Sequence, residues 1–106
     1  MINAKEEFLQ EVEDKSMVCA SVSFGANYDG KVNFVLKRGH SESDHRLFIE
    51  SLNFKYDNGF GGQRVFGYIW YDDGTWSSRG EYDGSEWWEH NVVPDILEEC
   101  TANTKE

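Results

Sequence analysis

The chain opens with helical periodicity. Apolar residues form a short stripe at Phe8, Leu9 and Val12 among acidic neighbours, which predicts an amphipathic helix over residues 3–15. Asn3 is a suitable N-cap, and Glu6 follows three positions later, as in a capping box. We expect the acidic side chains of this helix to face water; they are Glu6, Glu7, Glu11, Glu13 and Asp14.

Two segments then alternate with the period of two that is typical of strands, over residues 17–24 and 31–37. In each segment the apolar residues share one face; they are Val18, Ala20, Val22 and Phe24 in the first, and Val32, Phe34 and Leu36 in the second. A turn between them, over residues 25–30, would make an antiparallel hairpin with one dry face.

Helical spacing returns after this hairpin. Ser41 followed by Asp44 is a second capping signal, and apolar residues recur at Leu47, Phe48 and Leu52. These features predict a helix over residues 42–51. The alternative, that Phe48 begins a strand, stays open at this stage.

The second half of the chain predicts a β-meander, with strands over residues 53–57, 65–71, 75–82 and 85–90. Asp73-Gly74 between two aromatic strands is a strong hairpin signal, because glycine tolerates the positive φ that such turns require. Pro94 ends the regular structure, with one helical turn predicted over residues 95–97 and a disordered tail over residues 98–106.

Together these elements predict a single α+β domain over residues 1–97. It would contain a twisted antiparallel sheet of five or six strands, with the two helices packed on one face. A chain of 106 residues is close to the commonest domain size.

The predicted strand over residues 65–71 is apolar on both faces, with Val65, Ile69 and Tyr71 on one and Phe66, Tyr68 and Trp70 on the other. A strand of this kind is typical of one that is covered on both sides. Two short helices can cover only one side of a sheet.

Charge excludes two classes of partner. The chain has 20 acidic and 10 basic residues, a formal charge of -10. Phosphate backbones and anionic membranes repel a protein of this sign, so we expect neither direct nucleic-acid binding nor membrane binding. Solubility is the ordinary reason for such acidity; the alternative is a surface that competes with nucleic acid for a basic groove on another protein.

The two cysteines, Cys19 and Cys100, fit a reducing compartment without a disulfide. The sequence shows no signal peptide and no apolar run of membrane-spanning length. We therefore expect a cytoplasmic protein.

Metal and cofactor sites lack support in the sequence. Asp72, Asp73, Asp83 and Glu86 fall on adjacent turns and carry oxygen ligands, but no EF-hand spacing is present. The histidines and cysteines lack the paired spacing of a zinc site. We predict no metal and no cofactor.

Catalytic motifs are also missing. Glu86 and Glu89 flank Trp87-Trp88 in the manner of a sugar-cleaving carboxylate pair, but residues three apart on a strand point to opposite faces. No nucleophile elbow is present, and the glycine loop at residues 58–62 lacks the lysine of a phosphate-binding loop. The sequence thus predicts a protein that is not an enzyme.

Aromatic residues exceed what a small core needs. Trp87 and Trp88 are adjacent, so their side chains leave opposite faces and at least one should lie outside the main core. We predict a partner-binding patch of exposed rings rimmed by acids, formed by Asp72, Asp73, Trp76, Arg79, Tyr82, Asp83, Glu86, Trp87, Trp88 and Glu89. Arg79 is either the basic anchor of this patch or an internal ion-pair partner.

The same half of the chain resembles small acidic proteins of tailed bacteriophages that have no assigned activity. The similar segments are Tyr56-Asp57 with the glycine loop after it, Gly67-x-Ile69-Trp70, Asp73-Gly74-Thr75-Trp76 and the run from Glu81 to Trp88. The resemblance assigns no residue a role. It implies the cytoplasm of an infected bacterium, where such proteins often bind and disable host enzymes.

The leading hypothesis is therefore a non-enzymatic, DNA-mimic-like inhibitor that occludes a host protein with a basic, nucleic-acid-binding surface. A second hypothesis is an assembly module that forms homodimers through its aromatic residues. A carbohydrate-binding domain is a third.

Overall fold

A computed structural model of the protein describes residues 1–25, 32–59 and 61–101. Within these ranges the elements are β1 (Ile2–Asn3), α1 (Ala4–Val12), β2 (Met17–Phe24), β3 (Val32–Leu36), α2 (Glu42–Ser51), β4 (Lys55–Tyr56), β5 (Val65–Tyr71), β6 (Trp76–Tyr82), β7 (Ser85–Asn91) and α3 (Glu98–Thr101). The predicted turn over residues 25–30 falls mostly outside the described residues, as do residues 102–106 of the predicted tail.

The main sheet has five antiparallel strands in the order β3-β2-β5-β6-β7, and β1 pairs with β4 in a separate two-stranded ribbon. This arrangement confirms the predicted α+β fold. β4 falls within the strand predicted over residues 53–57, but it has only two residues and pairs with β1, so its place in the predicted meander was wrong. β1 was not predicted, because two residues are too few to show a period of two.

The turns of the meander follow glycine chemistry. Asp83 and Gly84 both have positive φ, 52° and 89°, as a two-residue type I′ hairpin requires. Gly74 has a φ of 85° in the turn between β5 and β6, which confirms the predicted hairpin at Asp73-Gly74. Both turns keep β5, β6 and β7 in one continuous sheet.

Helix α1 begins as predicted, because the side chain of Asn3 accepts a hydrogen bond from the backbone N–H of Glu6 at 3.0 Å. It ends at Val12, three residues before the predicted end. Asp14 takes a φ of 66°, outside the helical region, and the chain turns there toward β2.

Helix α2 has the predicted bounds. Its capping box is complete, since Ser41 and Asp44 each bond the other's backbone N–H. Phe48 and Ile49 lie inside the helix and are buried, so the alternative strand at this position is wrong.

The core lies between the two helices and one face of the sheet, which we call the inner face. It is formed by Ala4, Phe8, Ala20, Val22, Leu36, Phe48, Ile49, Leu52, Tyr56, Val65, Ile69 and Tyr71. A register shift in β2 between Met17 and Cys19 changes one prediction. Met17, rather than Val18, packs against this core, because the shift interrupts the alternation of side chains.

The chain beyond β7 also departs from the prediction. The single helical turn lies at α3, over Glu98–Thr101, instead of residues 95–97. In the described part of the chain, no helix is both long and apolar enough to cross a membrane.

Candidate protein-binding face

The sheet face opposite the helices, here called the aromatic face, follows from the strand register, because directly paired residues point to the same side. Its members are Asn33, Val35, Ser23, Ser21, Cys19, Phe66, Tyr68, Trp70, Trp76, Ser78, Gly80, Tyr82, Ser85, Trp87, Glu89 and Asn91. Six of them are aromatic and four are serines. Among the described residues on this face, Glu89 alone has a charged side chain.

The rings of β5 remain open to solvent. Tyr68 is 52% and Trp70 40% exposed, while their neighbour Ile69 on the inner face is fully buried. The Tyr68 and Trp70 rings stack on each other, with centroids 5.8 Å apart and planes 27° apart. In the described chain, the helices leave this second apolar face of β5 uncovered, so the strand is covered on one side only.

Trp87 is fixed in place across the neighbouring strand. Its indole N–H donates to the Oε2 atom of Glu89 at 3.0 Å. A Cβ atom at Gly80 would lie 2.9 Å from the indole Nε1 and 2.8 Å from that same Glu89 oxygen. The missing side chain of Gly80 therefore makes the space in which Trp87 lies over β6, with part of its ring still exposed.

Small polar groups fill the spaces between the rings. Asn91 donates to the hydroxyl of Ser78 at 2.9 Å, and Ser23 donates to the Oδ1 atom of Asn33 at 2.5 Å. Rings that lose little entropy on binding, mixed with serine, glycine and asparagine, make up the surfaces with which antibodies bind proteins. The aromatic face has the same composition.

Three of the predicted acidic residues lie at the ends of this face. Asp72 and Asp73 lie in the β5–β6 turn and Asp83 in the β6–β7 turn, all exposed. These turns are separated by the length of β6, roughly 20 Å at about 3.4 Å per residue. The acids therefore form two separate groups, where the prediction had one rim.

Asp73 is held in its turn by Thr75, whose backbone N–H and hydroxyl donate to Oδ1 at 2.9 Å and 2.5 Å. These hydrogen bonds stabilise the ionised carboxylate and lower the pKa of Asp73 below its ordinary value. This end of the sheet therefore keeps its negative charge under mildly acidic conditions.

Three predicted patch residues lie in the interior instead. The side chain of Arg79 is 1% exposed, Glu86 is 2% exposed, and Trp88 packs against the core. Strand alternation places them on the inner face, because Glu86 and Trp88 are the even-numbered residues of β7 and Arg79 pairs with Trp88. Including these three in an exposed patch was wrong; for Arg79, the alternative of an internal ion pair is the geometry observed.

Arg79 is the centre of a buried ionic cluster. Its Nη2 atom donates to the Oε1 atom of Glu86 and to the hydroxyl of Tyr56, both at 2.8 Å, and its Nη1 lies 3.2 Å from Oε2 of Glu7. Within the described chain, Nη1 has no acceptor aligned for a hydrogen bond, so its contact with Glu7 is ionic. The guanidinium also lies 5.1 Å from the ring centre of Trp88.

The charges in this cluster stabilise one another. Burial by itself would lower the pKa of Arg79, but the charge of Glu7 and the hydrogen bonds to Glu86 and Tyr56 outweigh burial and raise it. Burial and the hydrogen bond that Tyr56 donates to Glu7 raise the pKa of Tyr56, and the charge of Arg79 opposes them. Arg79 therefore stays charged and Tyr56 stays protonated.

Glu86 also fixes the end of the glycine loop. Its two carboxylate oxygens accept the backbone N–H groups of Arg64 and Val65 at 2.8 Å and 2.9 Å. The carboxylate is thus occupied by two amides and one guanidinium. Through these bonds Glu86 joins β7 to the start of β5.

Sequence reasoning missed the residues that α1 contributes to this interior. Glu7 meets Arg79 and Tyr56, and Glu11 accepts from the hydroxyl of Ser77 at 2.5 Å, although both acids were expected to face water. Ser77 in turn lies 2.7 Å from the hydroxyl of Tyr71. The available signal was spacing: Glu7 and Glu11 are one turn apart beside Phe8 and therefore border the buried stripe of the helix.

The interior cluster borders open depressions. One of about 250 Å³ is lined by Ile2, Glu7, Gln10, Glu11, Trp87 and Trp88, Glu7 also lines one of about 460 Å³ along α1, and Arg79 lines one of about 190 Å³ beside Tyr68 and Ser78. Glu86 and Glu89 leave opposite faces of β7, as predicted. In the described ranges, no group of three or more histidine, cysteine, aspartate or glutamate side chains is arranged to hold a metal ion.

Comparison with known proteins gave no relative from which a role could be carried over. No protein-family model matches the chain, and neither the curated proteins nor the solved structures contain a significant match.

Proposed function

We propose that this chain is a non-enzymatic binding protein and that a partner protein with a basic surface covers its aromatic face. The supporting observation is the uncovered second side of β5, where Tyr68 and Trp70 are exposed beside a fixed Trp87. A strand that is apolar on both sides normally has a covering layer on each.

The size of the aromatic face suits such a partner. Five strands at about 4.8 Å spacing and about 3.4 Å per residue give a surface of roughly 20 Å by 20 Å. This is on the order of the area that one protein contributes to a small, specific interface. Tryptophan and tyrosine are also the residues on which interface energy concentrates.

Charge contributes to the approach of the partner more than to the contact itself. The chain carries a net charge of -10, yet the aromatic face contributes only the carboxylate of Glu89 among its described members. Asp72 and Asp73 at one end and Asp83 at the other would meet basic residues at the rim of the partner. Long-range attraction of this kind raises association rates and weakens as salt is added.

The resemblance to small phage proteins suggests the biological setting. In the cytoplasm of an infected bacterium, the partner would be a host protein whose basic surface binds nucleic acid. Occlusion of that surface would inhibit it. On this proposal the aromatic rings supply the affinity, and the acids at the two ends supply selectivity for a cationic partner.

A second candidate is self-association through the same face. It is favoured by the low charge of the aromatic face, because two copies of an acidic protein repel each other least where carboxylates are few. A homodimer of this type would be insensitive to salt, whereas capture of a basic partner would weaken as salt rises.

The test is affinity capture from a bacterial lysate at low and high salt, with partners identified by mass spectrometry. We expect a basic protein to be retained by the wild type and lost by a Tyr68→Ser/Trp87→Ser variant, at least tenfold in recovery. An Asp72→Lys/Asp73→Lys/Asp83→Lys variant should reduce recovery mainly at low salt. Leu9→Ser is the control, because Leu9 is 40% exposed on α1, away from the aromatic face. Equal recovery with the double aromatic variant would contradict the proposal.

A further inference from the structure

The chain beyond β7 forms an apolar arm, defined here as residues 92–101. Residues 92–100 are all exposed, and four of them are aliphatic: Val92 is 58%, Val93 68%, Ile96 69% and Leu97 63% exposed. The described chain has a radius of gyration of 16.8 Å and a longest dimension of 56 Å. A compact domain of this length would have a radius of gyration of about 13 Å.

A groove of matching character lies at the opposite edge of the sheet, between β3 and α2. It encloses about 480 Å³ and is lined by Phe34, Leu36, Leu47 and Phe48, with Lys37, His40 and Asp44 among its polar residues. Leu36 and Phe48 are buried, while Leu47 is 69% exposed. The groove thus offers an apolar floor with one exposed aliphatic wall.

The strand that borders this groove has a free edge. β3 pairs with β2 on one side, and in the described chain no strand pairs with its other side. The backbone N–H and C=O groups of an edge strand bind extended segments readily. Residues 92–97 of the arm have no regular secondary structure and could lie along this edge with their aliphatic side chains in the groove.

The arm is acidic, and Lys37 in the groove lining is a base that the arm can meet, with Arg38 and Arg46 in the same segment of sequence. The segment from Lys37 to Arg46 has three Lys or Arg residues and two acids, in a chain whose overall charge is -10. The arm has three acids, Asp95, Glu98 and Glu99, and no base. Asp44 is the one acid in the groove lining, and its carboxylate accepts the backbone N–H of Ser41 in the capping box.

The register places both features at the same end of the sheet. Asn91, where the arm begins, pairs with Trp76, and Trp76 pairs with Trp70. Leu36, at the groove, pairs with Ala20, which pairs with Ile69. The arm and the groove are nevertheless on opposite edges, four strand spacings or about 19 Å apart. A two-fold axis at this end would bring the arm of each copy to the groove of the other and close the assembly.

We infer that the arm of one copy docks in the β3–α2 groove of a second copy, in a reciprocal exchange that makes a dimer. The inference does not depend on the aromatic rings of the aromatic face; of the members of that face, Val35 alone is in the groove lining. A short arm in an open groove buries little surface, so we expect the dimer to dissociate on dilution.

Sedimentation equilibrium of the full chain tests the association. We expect a concentration-dependent rise toward the mass of two copies. Leu47→Asp in the groove, or Ile96→Asp/Leu97→Asp in the arm, should each raise the dissociation constant at least tenfold. Leu9→Asp is the matched control at another exposed aliphatic residue.

A charge exchange tests the polar part of the contact. Lys37→Glu should weaken the dimer, and the double variant Lys37→Glu/Glu99→Lys should restore it. A monomer at all concentrations would overturn the inference. So would a dimer whose dissociation constant is the same in the wild type and in these variants.

Disulfide trapping distinguishes a second copy from the chain's own groove. Cys100 lies in the arm and is exposed, so a second cysteine at Ser51 in the groove supplies the other half of the bond. In a Cys19→Ser/Ser51→Cys background under mild oxidation by diamide, we expect a covalent dimer that requires both thiols. A disulfide within one chain would mean that the arm covers its own groove and would overturn the inference. Failure to form either product would also overturn it.

Discussion

The two faces of strand β7 make opposite use of the same residue types. Glu86 and Trp88 point inward, where the carboxylate and the indole both contact the guanidinium of Arg79. Trp87 and Glu89 point outward, where the indole donates to the carboxylate at the surface. Glu86 and Trp88 connect β7 to β5 and β6, whereas Glu89 holds the Trp87 ring at the surface. Position in the strand, and not residue type, decides between structure and recognition.

The largest expected effect is on the free energy of unfolding, from a substitution on the inner face. Arg79→Ala would leave the buried carboxylate of Glu86 and the partly buried carboxylate of Glu7 without their cation. We expect a loss of about 3 to 5 kcal/mol in the free energy of unfolding, measured with urea. Arg46→Ala is the control, since Arg46 is exposed on α2 and its loss should cost less than about 0.5 kcal/mol. Equal stability of the two variants would show that the cluster contributes nothing.

The adjacent tryptophans give a matched test of intermediate size. Trp88 packs edge-on against Phe8, with ring centres 5.8 Å apart, so Trp88→Ala should lower the free energy of unfolding by about 3 kcal/mol. Trp87→Ala removes an exposed ring and should cost less than about 1 kcal/mol while it abolishes partner capture. If both substitutions destabilise the fold equally, the two faces do not differ as described.

A smaller effect is expected from Tyr56 at high pH. Its pKa is raised because the phenol is buried and donates to Glu7, so the folded protein holds this proton more tightly than the unfolded chain does. The stabilisation is complete below the ordinary tyrosine pKa of about 10 and is lost as pH rises through the raised value. Urea unfolding between pH 8 and pH 11 should show this decline.

Tyr56→Phe is the control for this pH dependence. Because the variant lacks the group that titrates, its stability should fall less steeply above pH 10. Some loss of stability with rising pH should remain in the variant, since burial also raises the pKa of Tyr71. Identical slopes in the two proteins would assign the alkaline loss of stability to other groups.

Most of the fold follows from local signals in the sequence. The alternation in β5, the Asp-Gly turns and the capping box at Ser41 each determine their element with little help from the rest of the chain. The early end of α1 at Val12 and the shift near Met17 depend on how the helix is joined to β2. These features are determined by tertiary packing and cannot be predicted from hydrophobic periodicity.

The candidate site was harder to predict for a related reason. Alternation correctly separated Trp87 from Trp88, but the position of Arg79 depends on Glu7, a residue 72 positions away in sequence that α1 brings to the sheet. Burial of that ion pair removed Arg79 from the predicted patch, and strand alternation removed Glu86 and Trp88. The sequence indicated that the helices cover one side of β5 but not which side; they pack on the side of Ile69, so Tyr68 and Trp70 are exposed.

Side-chain footprinting with hydroxyl radicals tests the central claim most directly, namely that a partner covers the aromatic face. The chain would be oxidised alone and in the complex captured from lysate, and the rates compared residue by residue. We predict that Tyr68, Trp70 and Trp87 are protected several-fold in the complex, while Leu9 on α1 reacts at the same rate in both. Unchanged reactivity of the three rings, with protection elsewhere on the chain, would contradict the account.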